Sequence, residues 1–226
     1  MKRLVAVACT VVLVAGCGSS GSKSNGEAAK TPEQIIADVK TAVSSANSVH
    51  ITGSGDASGS PLSFNLRLTR NGGIGHIQLG GLGFDIARIG PKLYFKGDKQ
   101  FVSHYAGPAA AQLIAGKWFY VRPNVTGFES FKPLTDMVAF TNQILSSHGK
   151  LKKGATTTVD GQETVEVKDA SGGGSLFIAT TGSAYPIQLK AGHGNTGSLT
   201  FSDWNKAVAL AAPQNPIDYG KLIGSG

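Results

Sequence analysis

Leu62-Ser63-Phe64-Asn65-Leu66-Arg67-Leu68-Thr69 alternates apolar and polar side chains without a break. Successive residues of a strand point to opposite faces, so this stretch predicts a strand with one apolar and one polar face. Asn71-Gly72 follows, a dipeptide that favours the tight turn of a hairpin. The period of two starts at Val49 and returns around 73–80, 83–89, 92–97 and 117–122, separated by Gly81, Gly90-Pro91 and Gly97-Asp98. It resumes at 151–159, 162–169, 174–180, 185–191 and 197–204, with Asp160-Gly161 as a second hairpin turn. Sequential strands on short turns form an antiparallel meander.

Two segments break this period. Thr31-Pro32-Glu33-Gln34 places an N-cap, a proline at the first helical position and a capping-box glutamine in order. Ile35, Val39, Val43 and Ala46 then share one face beside Ile36, which predicts an amphipathic helix of about sixteen residues. Phe128 to Ser147 keeps helical spacing at Phe131, Leu134, Met137, Val138, Ile144 and Leu145, with Pro133 in its first turn. Pro108 to Ala115 reads as a shorter helix, and 207–226, with Pro213 and Pro216, as a loop packed on the body.

The strands are apolar on one face only, so a single large sheet has to curl around something to bury that face. The expected fold class is α+β: a curved antiparallel sheet of about 10–11 strands, an open half-barrel wrapped around two main helices. No linker interrupts 31–206, and 31–226 is expected to be a single domain.

The start of the chain has a different character. Lys2 and Arg3 precede an apolar run from Leu4 to Val14, and Val14-Ala15-Gly16-Cys17 closes it. A positive start, a short apolar stretch and small residues before the cleavage point define a secretory signal peptide. A cysteine directly after that point matches the bacterial lipoprotein pattern. Residues 1–16 are expected to be removed and Cys17 to carry the lipid anchor, a diacylglyceryl group whose two chains suffice for stable anchoring. Residues 17–30, rich in Gly and Ser, then form a flexible leash. The chain is expected at the cell membrane, lipid-anchored on its extracytoplasmic face.

The two cysteines, Cys9 and Cys17, are thereby lost or blocked, which leaves no disulfide framework and no thiol catalyst. The net charge of +7 suits a body near anionic headgroups, and equally simple solubility. Basic residues stand singly among strands, without the clusters of a nucleic-acid binder.

Motifs for chemistry are missing. Gly192-His193-Gly194-Asn195-Thr196-Gly197 has the spacing of a dinucleotide loop but opens no helix, so nothing aims amide groups at a pyrophosphate. His50, His76, His104, His148 and His193 show no paired metal-ligand spacing, and no serine elbow or phosphate loop occurs. Asp160, Glu163, Glu166 and Asp169 fall on hairpin strands, where solvated charge is the default. Asn124-Val125-Thr126 fits a glycosylation sequon of little meaning in a bacterial lipoprotein. Neither enzyme activity, a metal nor a cofactor is expected.

Apolar side chains gathered on one face do stand out. Leu62, Phe64, Leu66, Phe84, Ile86, Leu93 and Phe95 turn inward from the first half of the meander. Ile187, Leu189, Leu199 and Phe201 do so from the second, and Leu134, Met137 and Val138 face them from the helical segment. They are either ordinary core packed on helices or the lining of an apolar cavity that the helices leave unfilled. Each buried lipid methylene is worth about 0.8 kcal/mol, so a sixteen-carbon chain needs shelter on the order of 12 kcal/mol to leave a bilayer.

The lipobox, the Gly/Ser leash, the Thr-Pro-Glu helix start and the meander together resemble the actinobacterial LppX/LprAFG lipoprotein family, related in fold to the LolA and LolB lipoprotein carriers. Gly90-Pro-Lys-Leu-Tyr-Phe-Lys-Gly-Asp98, Gly116-Lys-Trp-Phe-Tyr-Val121 and Leu199-Thr-Phe-Ser-Asp-Trp204 carry the likeness, while a high Gly/Ala content and the 127–149 segment depart from it. The resemblance implies a half-barrel whose apolar cavity accepts a lipid or lipid-anchored molecule and helps its transfer across the cell envelope, with no catalytic residues. A monomer is expected, held to the membrane through Cys17, with an envelope transport protein as a possible partner. The alternative is a non-enzymatic envelope sensor or scaffold that binds a protein partner through the same fold.

Overall fold

A computed structural model describes residues 23–57, 59–122, 125, 127–146, 148–192 and 194–224. The signal peptide, Cys17, the start of the leash, His193 and the ends of the sequon lie outside them.

Twelve strands form one sheet: β1 (Ser48–Ala57), β2 (Ser60–Thr69), β3 (Gly72–Leu79), β4 (Leu82–Ile89), β5 (Lys92–Gly97), β6 (Phe119–Val121), β7 (Leu151–Val159), β8 (Gln162–Asp169), β9 (Gly174–Ala179), β10 (Pro186–Ala191), β11 (Thr196–Ser202) and β12 (Ile217–Asp218). Their spatial order is β12-β6-β5-β4-β3-β2-β1-β11-β10-β9-β8-β7. Every pairing is antiparallel except that of β12 with β6. The sheet is curved and does not close on itself, as the one-sided strands predict.

Register follows the alternation. Ile51 lies opposite Leu66 on one side and Phe201 on the other, and Ile86 lies opposite Phe95. One face therefore collects the apolar side chains, while the other carries His50 beside Asn65 and His76 beside Asp85. Asp160 and Gly161 both have positive φ, as a two-residue type I′ turn requires. At the earlier hairpin the turn is Arg70-Asn71, one residue ahead of the expected Asn-Gly pair, because Gly72 already pairs with Thr69. The β2–β3, β4–β5, β7–β8 and β9–β10 turns share one end of the sheet, the lower rim. The β1–β2, β3–β4, β8–β9 and β10–β11 connections share the opposite, upper rim.

Helices cover the apolar face. The first, α1 (Pro32–Ser45), has the full capping box: Thr31 Oγ1 accepts from the Gln34 amide, and Gln34 Oε1 accepts from the Thr31 amide. Its Ile35, Val39 and Val43 are fully buried against Val165, Val167, Leu176 and Ile178. Next come α2 (Lys99–Ala106), capped by Asp98, and α3 (Pro108–Ile114). They close over β3–β6, where Phe84 stacks on Phe101 at 4.4 Å and Phe95 contacts Phe119, Phe128 and Phe131.

The structure corrects four expectations. The 128–147 helix is two 3-10 turns, Glu129–Phe131 and Pro133–Thr135, followed by α4 (Met137–Ser146). Asp136 is extended, and its Oδ1 accepts from the Ala139 amide, so it caps a helix that starts after it. The turn expected at Gly97-Asp98 is the entry to α2. The tail is more than a loop: β12 adds to the sheet edge and α5 (Tyr219–Leu222) follows. Residues 24–30, expected to be part of the flexible leash, are docked. Ser24 bridges Thr181, Asn25 bonds the Ala179, Thr180 and Gly182 carbonyls, and Glu27 is buried in a 3-10 turn with Lys30 at 2.7 Å.

One polar contact seats α4. Arg88, on the apolar face of β4, donates to Thr135 Oγ1 (3.2 Å), to the Thr135 carbonyl (3.2 Å) and to Asp136 Oδ2 (3.0 Å). A Cβ on Gly73 would crowd the Thr135 carbonyl at 3.3 Å, so the glycine leaves room for this segment. Asp136→Ala removes both the cap and the arginine's partner, and should cost about 1–3 kcal/mol in urea unfolding. Asp136→Asn keeps an acceptor for the cap and should cost less.

β12 depends on a second polar contact. Tyr120 donates to Asp218 Oδ2 at 2.5 Å, which holds the Asp218 carboxyl below the usual carboxylate range and raises the tyrosine hydroxyl. A carboxyl with a lower pKa folded than unfolded stabilises above its unfolded value, near 3.9, and that stability is lost as pH falls through the folded value. Acidification below about pH 4 should therefore loosen β12, seen as faster amide exchange at Ile217 to Tyr219. In Tyr120→Phe that acid-dependent step should shrink.

Candidate functional site

The helices do not cover the apolar face evenly. The buried side chains form two clusters, one beneath α2, α3 and the 3-10 turns against β3–β6, the other between α1 and β8–β9. Leu189 and Trp204 are half-buried and touch both. Between the clusters, where α4 crosses β10, β11, β1 and β2, a cleft remains.

Its main chamber is about 420 Å³, walled by Phe64, Leu134, Phe140, Ile144, Leu189, Ala191 and Leu199, with Gln143 and Lys190 as its polar members. A side chamber of about 170 Å³ adjoins it through Leu189, Ala191 and Leu199 and reaches Gly55, Leu62 and Gly197. A narrow space of about 50 Å³ extends the other way beneath α1, between Ile36, Ile144 and Leu176. Leu189 lines all three. The main volume lies within the 300–1,000 Å³ range of small-molecule sites, and mostly apolar walls with a few polar groups are their usual character.

Glycine makes the side chamber. Gly55 lies opposite Gly197 and Leu62, on the register that turns side chains to the concave face. A Cβ on Gly55 would strike the Thr196 carbonyl oxygen, and one on Gly197 the Ser54 carbonyl oxygen. Gly197 also has φ +108°, which disfavours any L side chain. Neighbouring backbone approaches too closely here for side chains, so the glycine positions leave backbone as the floor.

Of the fourteen expected lining residues, Leu62, Phe64, Leu134, Leu189 and Leu199 line the cleft. Leu66, Phe84, Ile86, Leu93, Phe95 and Met137 are instead sealed in the large cluster, with Val138 half-buried against it. The reason is α2, which the sequence reading lacked: Phe101 and Val102 fill the space over β4 and β5. Ile187 and Phe201 line a different hollow of about 400 Å³ on the lower rim, with Tyr185 and Trp204, whose rings stack at 4.4 Å. The reading missed Phe140 and placed Ile144 on the helical segment without assigning it to the lining, although their four-residue spacing on α4 was a usable signal; it also missed the Gly55–Gly197 floor, for which glycines on facing strands were the only sign.

The architecture has counterparts among solved structures. The crystal structure of LprF from Mycobacterium bovis superimposes with a TM-score of 0.54 at 16% identity, covering 85% of this chain and 99% of that one. The Mycobacterium tuberculosis lipoprotein LppX gives 0.51 at 16% identity, over 79% and 99%. This chain has the LppX/LprF-type fold. A more distant likeness, at TM-score 0.29 and 10% identity over 80% and 96%, is to a LolA superfamily protein from Nitrosomonas europaea. No protein-family model and no curated protein matches the chain.

A cleft and a closed core respond differently to added volume. Leu199→Trp, directed at open space, should cost under about 1 kcal/mol in thermal unfolding, whereas Leu93→Trp, in the packed cluster, should cost about 1–3 kcal/mol.

Proposed function

We infer that the protein is a lipid-binding lipoprotein, held by Cys17 on the extracytoplasmic face of the cell membrane. It shelters the acyl part of a lipid or lipid-anchored molecule in the cleft beneath α4 and helps its transfer across the envelope. The carrying observation is the apolar chamber between Phe64, Phe140, Ile144, Leu189 and Leu199, open where the two core clusters part. Its walls offer dispersion and hydrophobic contact along a length and few groups to activate a bond, which suits retention of a chain and no catalysis. The LppX/LprF-type fold supports the same reading. Among the described residues no helix is long and apolar enough to cross a membrane. Residues 31–226 act as one monomeric body in this reading, with an envelope transport protein receiving the cargo.

Native mass spectrometry with lipid extraction, on protein purified from its own membranes, tests this reading. The expected result is an acyl lipid on the wild type and its loss from Leu199→Trp. An empty wild type, or equal loading of both, overturns the cleft as the binding site.

A further inference from the structure

The cleft forks, and its two arms differ in direction and size. The main chamber runs across the strands beneath α4, from Phe64 on β2 past Leu199 on β11 to Leu189 on β10. The narrow space beneath α1 continues that line to Leu176 on β9. The side chamber leaves it along the strands. Phe64, Gly53 and Leu199 form one cross-strand row, and Leu62, Gly55 and Gly197 form the next inward row toward the upper rim. Two residues of strand advance about 7 Å, one layer of inward side chains. Leu189, Ala191 and Leu199 line both arms and stand at the fork.

Volume sets what each arm holds. An apolar cavity of about 150 Å³ takes one benzene, so a buried carbon needs about 25 Å³. By that measure the main chamber of about 420 Å³ holds about seventeen carbons, one long acyl chain. The side chamber of about 170 Å³ holds about seven, and the narrow space of about 50 Å³ about two more. Together they fall short of two palmitoyl chains.

The side chamber is apolar as well as short. Leu62, Leu189, Ala191 and Leu199 turn into it, and its floor is the backbone at Gly55 and Gly197. That floor cannot be lowered, because the Thr196 and Ser54 carbonyl oxygens already close against the two glycines. Asp56, Asn195 and Thr196 stand at its upper-rim end, where a headgroup would emerge.

We propose that the protein selects an unsymmetrical two-tailed lipid, with a tail of about sixteen carbons in the main chamber and a second of about six in the side chamber. Leu62 and the Gly55–Gly197 floor set the length of the second tail. The inference rests on the acyl-binding role of the cleft proposed above.

Three phosphatidylcholines that differ only in their tails test it: palmitoyl-lyso, palmitoyl-hexanoyl and dipalmitoyl. They are offered in pairs, at equal concentration from cyclodextrin, to the full-length lipoprotein stripped of endogenous lipid. Native mass spectrometry counts what is retained. The wild type should retain the palmitoyl-hexanoyl lipid about tenfold or more over either competitor, because it alone buries both tails completely. Leu62 lines the side chamber and not the main one, so Leu62→Trp fills that arm alone. This variant should hold the lyso lipid within about twofold of the wild type and lose the preference for the hexanoyl tail. Leu62→Ala enlarges the same arm and should shift the preference to palmitoyl-octanoyl lipid. A wild type that ranks the dipalmitoyl lipid first, or a ranking unchanged in both variants, overturns the side chamber as a tail site while the cleft stands. Equal loss of lyso and two-tailed lipids from Leu62→Trp also overturns it, because that result places the headgroup in the side chamber. A wild type that retains none of the three overturns the acyl-binding cleft, and this inference with it.

Discussion

An unclosed sheet with one apolar face has to be covered by its own chain, and this constraint shapes the molecule. Twelve strands expose far more apolar surface than one helix can hide. The chain answers with α1 over one half, α2 and α3 over the other, and α4 across the gap. Each fully buried Phe, Leu or Ile contributes about 1.5–3 kcal/mol, so incomplete cover is expensive unless another apolar body completes it. The cleft is the part of that face the chain leaves uncovered.

Where the cleft falls follows from where bulk is concentrated. Phe84, Phe95, Phe101, Phe119, Phe128 and Phe131 interlock over β3–β6 and leave no space there. Across β1, β11 and β10 the facing positions are Gly53, Gly55, Gly197, Leu189 and Leu199, and α4 cannot descend into that hollow. Its entry is tied by Arg88 to the 3-10 turn before it, and this polar contact sets the height of the roof. Asp136 serves the arginine and the helix cap at once, so the position of α4 and its first turn depend on one carboxylate.

Most strands were legible in the sequence because a period of two with glycine turns has few other readings, and α1 was legible down to its capping box. What was not legible depended on neighbours distant in sequence. Asp98 reads as a turn residue until Phe101 is seen to need a place against Phe84. Pro133, read as a helix start, sits in a separate 3-10 turn because Arg88 holds Thr135 and Asp136. Ile217-Asp218 is too short to announce a strand, and only β6, nearly a hundred residues away, gives it a partner. The cavity side chains were harder still. Inward direction is a local property, which alternation reveals, whereas whether an inward residue meets a helix or empty space depends on the other half of the chain.

The route of the tail adds a mechanical constraint. After β11 it passes Ser48, where the Asn205 amide meets the Ser48 carbonyl, runs by Gly72 beside Leu210, and ends as β12 on the far edge. The tail thereby ties β11 covalently to β12, and the hydrogen-bonded pairings of β11 with β1 and of β12 with β6 complete a loop through β1 to β6. The other half is tied back as well, because the 122–150 segment that carries α4 runs from β6 near one edge of the sheet to β7 at the other. Spreading the two edges of the open sheet therefore pulls on both straps, the tail between β11 and β12 and the α4 segment between β6 and β7.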